Sequence, residues 1–170
     1  MQDPITTIDP LHSGAPGAVA TPWEETRRVL ETAEVFWLST VRADGRPHVT
    51  PVTSAWLDGT LYFGTGSLAQ KLKNLRGNPH VVLTTGCNHL AIGLDIVVEG
   101  DAAPCTDAAV HERFYQQQAI LWGEGWPIQL RDGVLWDEST GEPLLLFAVT
   151  PTKIFAYTRG DEWSQTRYQY

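Results

Sequence analysis

The sequence predicts a mainly β fold with flanking helices, its antiparallel sheet closed or nearly closed into a small barrel, and three observations support this. Five or six short runs rich in β-branched and aromatic residues follow one another along the chain. Two Asp-Gly pairs, Asp44-Gly45 and Asp58-Gly59, join the first three runs as hairpins of type I′, so those runs form a meander. One helical segment separates the third run from the fourth, and closing the sheet removes edges that would otherwise template aggregation.

Taken in order, residues 1–20 are rich in Pro, Gly, Ala and Thr without periodicity and read as a flexible tail, leaving 21–170 as one domain. Thr21-Pro22-Trp23-Glu24 supplies an N-cap hydroxyl, a first-turn proline and a capping-box glutamate, so a helix is expected to about Glu34. Strands are expected over 35–43, 46–57 and 60–64. Pro47 and Pro51 cannot donate to a ladder, so the second strand needs a stretch where its backbone faces something other than a neighbouring strand, such as a flat ligand. Ser67-Leu68-Ala69-Gln70 is a second capping box, opening a helix with Leu68, Leu72 and Leu75 on one face. Strands follow at 80–85 and 94–103, then a helix from Thr106 or Asp107 to about Trp122. Residues 123–142 read as irregular, and 144–149 and 154–158 complete the strands.

The formal charge of -8 argues against a nucleic-acid partner, which needs a basic footprint. That charge is uneven: 20 of 170 residues are acidic, yet none lies between Asp58 and Asp95, where Lys71, Lys73 and Arg76 stand. A small anion is favoured there. Cys87 and Cys105 are the only cysteines, and neither a signal peptide nor an apolar run of membrane-spanning length is present. A soluble protein of the reducing cytoplasm is expected.

Gly64-Thr65-Gly66-Ser67-Leu68-Ala69 fits G-x-G-x-x-A, the dinucleotide fingerprint, but its strand belongs to a meander and no acidic residue lies about 20 positions on. What survives is an anion site: free amides at a helix N-terminus, the hydroxyls of Thr65 and Ser67, close approach at Gly66, and Lys71 one turn in. The alternative is that the glycines serve only the turn.

The run Trp37 to Val52 (WLSTVRADGRPHVTPV), with Thr65 to Leu75 (TGSLAQKLKNL), Asn78 to Leu83 (NPHVVL) and Val97 to Gly100 (VVEG), resembles the pyridoxamine 5′-phosphate oxidase-related split-barrel family. The ending Gln165-Thr166-Arg167-Tyr168 is similar to the Thr-Arg-aromatic tail of actinobacterial members, many of which use the deazaflavin coenzyme F420. This resemblance, over residues 23–170, implies a six-stranded antiparallel split barrel and a homodimer holding FMN or coenzyme F420 at the subunit interface. It further implies that His48, Val49, Thr50, Pro51 and Val52 lie along the ring system, that Thr65, Gly66, Ser67 and Lys71 hold the phosphate, and that Arg167 reaches a cofactor edge. Gln70 stands where many relatives place Arg, and the paired Arg/Lys strand motif of the vitamin oxidase is absent, which weakens the case for that activity. The acidic tail of the deazaflavin coenzyme, which Lys73 and Arg76 could accommodate, favours that cofactor slightly.

The function expected is therefore a flavin- or deazaflavin-dependent oxidoreductase moving hydride to or from a small conjugated substrate. The alternative is a non-catalytic cofactor- or haem-binding protein. No protein nucleophile is expected, because the cofactor supplies the hydride chemistry. Cys87-Asn88-His89 offers too few ligands for zinc. His111 and Glu112 read as surface residues, and Trp122, Trp126 and Trp136 as packing residues rather than a substrate wall.

Overall fold

The computed structural model describes residues 3–13, 17–160 and 163–169, and its strands pair antiparallel throughout. The elements are β1 (Ile5–Ile8), α1 (Trp23–Thr32), β2 (Phe36–Val41), β3 (Pro47–Val52), β4 (Ser54–Leu57), β5 (Thr60–Thr65), α2 (Gln70–Gly77), β6 (His80–Thr85), β7 (Gly93–Pro104), α3 (Ala108–Trp122), β8 (Ile128–Arg131), β9 (Val134–Asp137), β10 (Glu142–Pro143), β11 (Leu145–Arg159) and β12 (Ser164–Gln169). One sheet of nine strands runs β1-β12-β11-β7-β6-β2-β3, with β5 joining β11 and β4 joining β5; β8, β9 and β10 form a second sheet. The described residues are thus mainly β with three helices, an arrangement consistent with a split barrel. Among the described residues, no helix is long and apolar enough to cross a membrane.

β11 organises the large sheet. From Phe147 to Arg159 it pairs with β7, while its first part takes β5 on the other edge and its last part takes β12. The sequence suggested two strands here, over 144–149 and 154–158. Instead, a register shift between Pro151 and Lys153 absorbs the proline, opposite Gly100, where a Cβ would lie 2.5 Å from the Thr150 carbonyl oxygen.

Four other expectations are corrected. The strand expected over 46–57 is two strands, because the chain changes partner at Thr53: β3 pairs with β2 and β4 with β5. Residues 123–142 are not irregular but fold back as β8 to β10, with Asp132 and Gly133 both at positive φ in a type I′ turn. Asp58-Gly59 has that geometry too; at Asp44-Gly45 only Gly45 is at positive φ, because a longer loop closed by Arg42 N–H to the Arg46 carbonyl (2.9 Å) connects the strands. Part of the expected tail is ordered into β1, which pairs with β12 through Thr7 and Arg167; residues 1, 2 and 14–16 of that tail lie outside the described residues.

The two capping boxes also fail, since their hydroxyls serve tertiary contacts. Thr21 Oγ1 lies 2.7 Å from Thr158 Oγ1, and α1 begins after Pro22 without a side-chain cap. Ser67 donates to Glu142, so α2 begins only at Gln70.

The core lies between the large sheet and α1 and α2. Phe36, Leu38, Leu61, Phe63, Leu83 and Ile96 are sealed there, with Leu72 and Leu75 of α2 against them. A second cluster joins Phe114 of α3 to Ile128, Leu135 and Leu146, and Trp126 packs on its margin, stacked on Tyr115 with centroids 5.5 Å apart.

Candidate functional site

The N-terminus of α2 is fixed against β2 and β3 by a chain of side-chain hydrogen bonds. Gln70 Nε2 donates to Asn74 Oδ1 (2.8 Å), and Asn74 Nδ2 donates to Thr40 Oγ1 (2.8 Å). Thr40 in turn donates to the His48 carbonyl (3.2 Å), and its hydroxyl lies 3.3 Å from His48 Nδ1. Asn74 and Thr40 are buried, so the chain holds the helix start over one face of the β2–β3 hairpin rather than decorating a surface. In the first turn of α2 the Leu72 and Lys73 N–H groups donate to the Ala69 carbonyl (3.1 and 3.4 Å), while the earliest amides of a helix have no partner within it.

Lys71 projects from that first turn. Burial pulls its ammonium below the usual lysine range, and among the described residues it has no ion pair or hydrogen bond. His48 is pulled below its ordinary 6.5 by burial first, then by the charges of Arg42 and Lys71. His48 therefore lies within reach of the positive charges of both Arg42 and Lys71. A partly desolvated, unpaired cation costs stability, and an anion bound beside it offsets that cost.

Two buried hydroxyls add to the unmet polarity. Thr65 Oγ1, at the end of β5, and Thr50 Oγ1, on the face of β3 shared with His48, are enclosed without a hydrogen-bond partner among the described residues. Gly64 is glycine for packing, since a Cβ there would meet Leu144 Cδ2 at 2.6 Å; around Gly66 there is open space. Ser67 stands apart from the basic field. Its hydroxyl donates to Glu142, and the hollow around residues 66–69 is walled by Asp137 and Glu142.

Among the described residues β3 pairs with β2 alone, leaving its second edge without a ladder. Since prolines have no N–H, His48, Thr50 and Val52 carry the ladder to β2, and the backbone of Val49 faces the open side between Pro47 and Pro51. This is the free edge that the proline spacing demanded. Arg167 is exposed on β12, between β1 and β11 and four strands from β2 in the strand order, and makes no hydrogen bond or ion pair with Lys71 or His48 among the described residues. Arg76 borders a different cleft, and Lys73 is exposed.

Sequence reasoning missed Arg42, the Gln70–Asn74–Thr40 chain and Glu142. The first was accessible from the hairpin register, which sets Thr40 opposite His48 and Arg42 two residues on. The others depend on how distant segments meet. His111 also departs from expectation: it is buried, with Nε2 donating to the Cys105 carbonyl (2.9 Å). The flanking Glu112 is exposed.

The charge on His48 gives the apo protein a pH signature. Because its folded-state pKa lies below the unfolded 6.5, the unfolded chain binds more protons as pH falls through that window, so this contribution to stability is lost on acidification. Thermal melts between about pH 7 and 5 should therefore fall less steeply for His48→Gln than for the parent.

None of the curated proteins matches the chain. Among solved structures, the chain is similar to a FAD-binding protein from Mesorhizobium loti (18% identity, TM-score 0.58, covering 88% of this chain and 96% of that one). It is also similar to a NimC/NimA family protein from Clostridium acetobutylicum (19% identity, TM-score 0.60, covering 86% and 91%). A heme-binding protein from Mycobacterium smegmatis matches at 16% identity and TM-score 0.63, over 84% of this chain and 56% of that one. At these identities the likeness concerns the fold alone. A family model reaches further, because it follows the sequence itself from residue 22 to residue 156, across the pinned helix, the β3 edge and Lys71. On that match, the chain belongs to the pyridoxamine 5′-phosphate oxidase family.

Proposed function

We propose that this protein binds FMN or coenzyme F420 and acts as an oxidoreductase on a small conjugated substrate. The observation carrying the reading is the half-buried, unpaired Lys71 beside Arg42 and His48, close to the helix start. Lys71 would hold the cofactor phosphate, with Thr65 and Gly66 at its approach; Val49 and the open edge of β3 would lie along the ring system. The buried, unpartnered hydroxyls of Thr50 and Thr65 fit such a ligand, whereas Ser67, committed to Glu142, would have to change partner first. When bound, the cofactor supplies the hydride chemistry, and the protein positions it and excludes water.

The charge count favours the deazaflavin coenzyme. Its phosphate is a diester with one negative charge, against close to two for the monoester of FMN at neutral pH, so Lys71 would balance it, and the acidic tail would fall to the exposed Lys73. Gln70 adds no charge, and Glu142 adds a negative one at Ser67.

The six-stranded split barrel of the family would be built from β2, β3, β5, β6, β7 and β11 and completed by a second copy of the chain. Trp37 on β2 and Val49 on β3, each about half exposed, share one face of the β2–β3 pair, with Trp37 opposite Pro51 and Ser39 opposite Val49, and this is surface a twofold partner would cover. Light scattering at micromolar concentration should give a dimer mass; a monomer would remove the interface from the site.

The alternative, a protein that stores or senses a cofactor or haem, gains weight from the mycobacterial neighbour. An absorption spectrum of the purified protein, followed by anaerobic reduction and reoxidation with nitro- and enone-type acceptors, separates the two. Reoxidation coupled to acceptor loss supports an oxidoreductase. A Soret band with haem and no flavin or deazaflavin turnover supports the alternative.

A further inference from the structure

A second cleft, of about 420 Å³, opens beside the C-terminal half of α2, and none of the cradle residues His48, Thr50, Thr65 and Lys71 lines it. Its floor is carbon: Leu72, Leu75, Ala102, Leu146 and Phe147 are all buried. Its volume falls within the roughly 300–1,000 Å³ of small-molecule sites. One cation borders it, Arg76, and no Asp or Glu does, although the chain carries 20 acidic residues against 12 basic. Arg76 is exposed and makes no ion pair or hydrogen bond among the described residues.

From this arrangement we infer that the cleft binds a small amphipathic monocarboxylate, with its alkyl or aryl body on the leucine floor and its carboxylate on Arg76. The floor disfavours a polyanion, because further charges would be desolvated against carbon with only the buried His111 ring and the Thr106 hydroxyl beside them. A purely apolar occupant leaves the guanidinium unused, and an amine is repelled by it. A carboxylate at the exposed arginine stays partly hydrated, so the pair forms without the desolvation cost of a buried ion pair, and a planar guanidinium matches a carboxylate with two parallel hydrogen bonds.

The test is calorimetric titration of the full chain with octanoate, 1-octanol and octylamine. Octanoate should saturate one site per chain, about tenfold tighter than octanol, with octylamine weakest. Arg76→Ala should bring octanoate to the octanol level and leave octanol unchanged. Val134→Glu, at an exposed rim position where folding is not at stake, should weaken octanoate more than octanol. Equal binding of octanoate and octanol by the parent, unchanged octanoate affinity in Arg76→Ala, or no saturable octanoate binding up to its solubility limit would each overturn the assignment.

Discussion

Replacing Lys71 by alanine is expected to weaken binding of FMN or coenzyme F420 by about ten- to a hundredfold, the loss of one charge-assisted contact worth about 1.5–3 kcal/mol. The folded apo protein should lose nothing, because the ammonium is partly desolvated without a partner and its removal relieves a cost. Lys73→Ala is the control. It lies on the same helix about 200° further round and is exposed, so a contact localised at Lys71 predicts a much smaller change. Equal losses would indicate a diffuse field over the helix, and no loss in either would return the glycine segment to a purely structural role.

Tyr168→Ala is expected to destabilise the fold by about 3–5 kcal/mol, the range for emptying a buried aromatic site. Tyr168 is fully enclosed, its hydroxyl donates to the Thr21 carbonyl (2.6 Å), and Thr26 Oγ1 lies 2.9 Å away. Its ring meets Trp23 with centroids 5.1 Å apart, so one side chain fastens the last strand to the chain entering α1. Tyr168→Phe keeps the ring but leaves that carbonyl without its donor, and should cost about 1–3 kcal/mol. Urea unfolding of both variants measures these values. Arg167→Ala, one residue away but exposed, should leave the midpoint nearly unchanged, so any loss of cofactor affinity in that variant belongs to the site rather than to the fold.

Tyr168 also illustrates how the sequence informs and misleads. The Thr-Arg-Tyr ending drew attention to Arg167, yet the residues on either side of it, Thr166 and Tyr168, are the buried ones that hold β12 in place. Alternation alone could have suggested this, since a strand sends neighbours to opposite faces. Local signals were legible where the chemistry was local: Asp58-Gly59 dictates its turn, and the prolines of β3 dictate an edge without a ladder. Signals with two uses were misread. Thr21 and Ser67 are good caps by type, but each is drawn into a contact with a segment far along the chain, 137 residues away for Thr21 and 75 for Ser67. The same holds for the anion segment, which reads as one cradle in sequence. In space, Lys71 belongs with His48 and Arg42 on β3 and its hairpin, and Ser67 with Glu142 near the small sheet.

On the proposed function, this chain holds a flavin-type cofactor through its phosphate at the start of α2. Equilibrium titration of the purified protein with FMN and with coenzyme F420, followed by cofactor fluorescence and repeated with added inorganic phosphate, tests it most directly. The account predicts saturable binding of one cofactor per chain, tighter for coenzyme F420, with phosphate competing in the parent and losing that effect in Lys71→Ala. Saturable binding that phosphate does not disturb, or no binding of either cofactor, would contradict it.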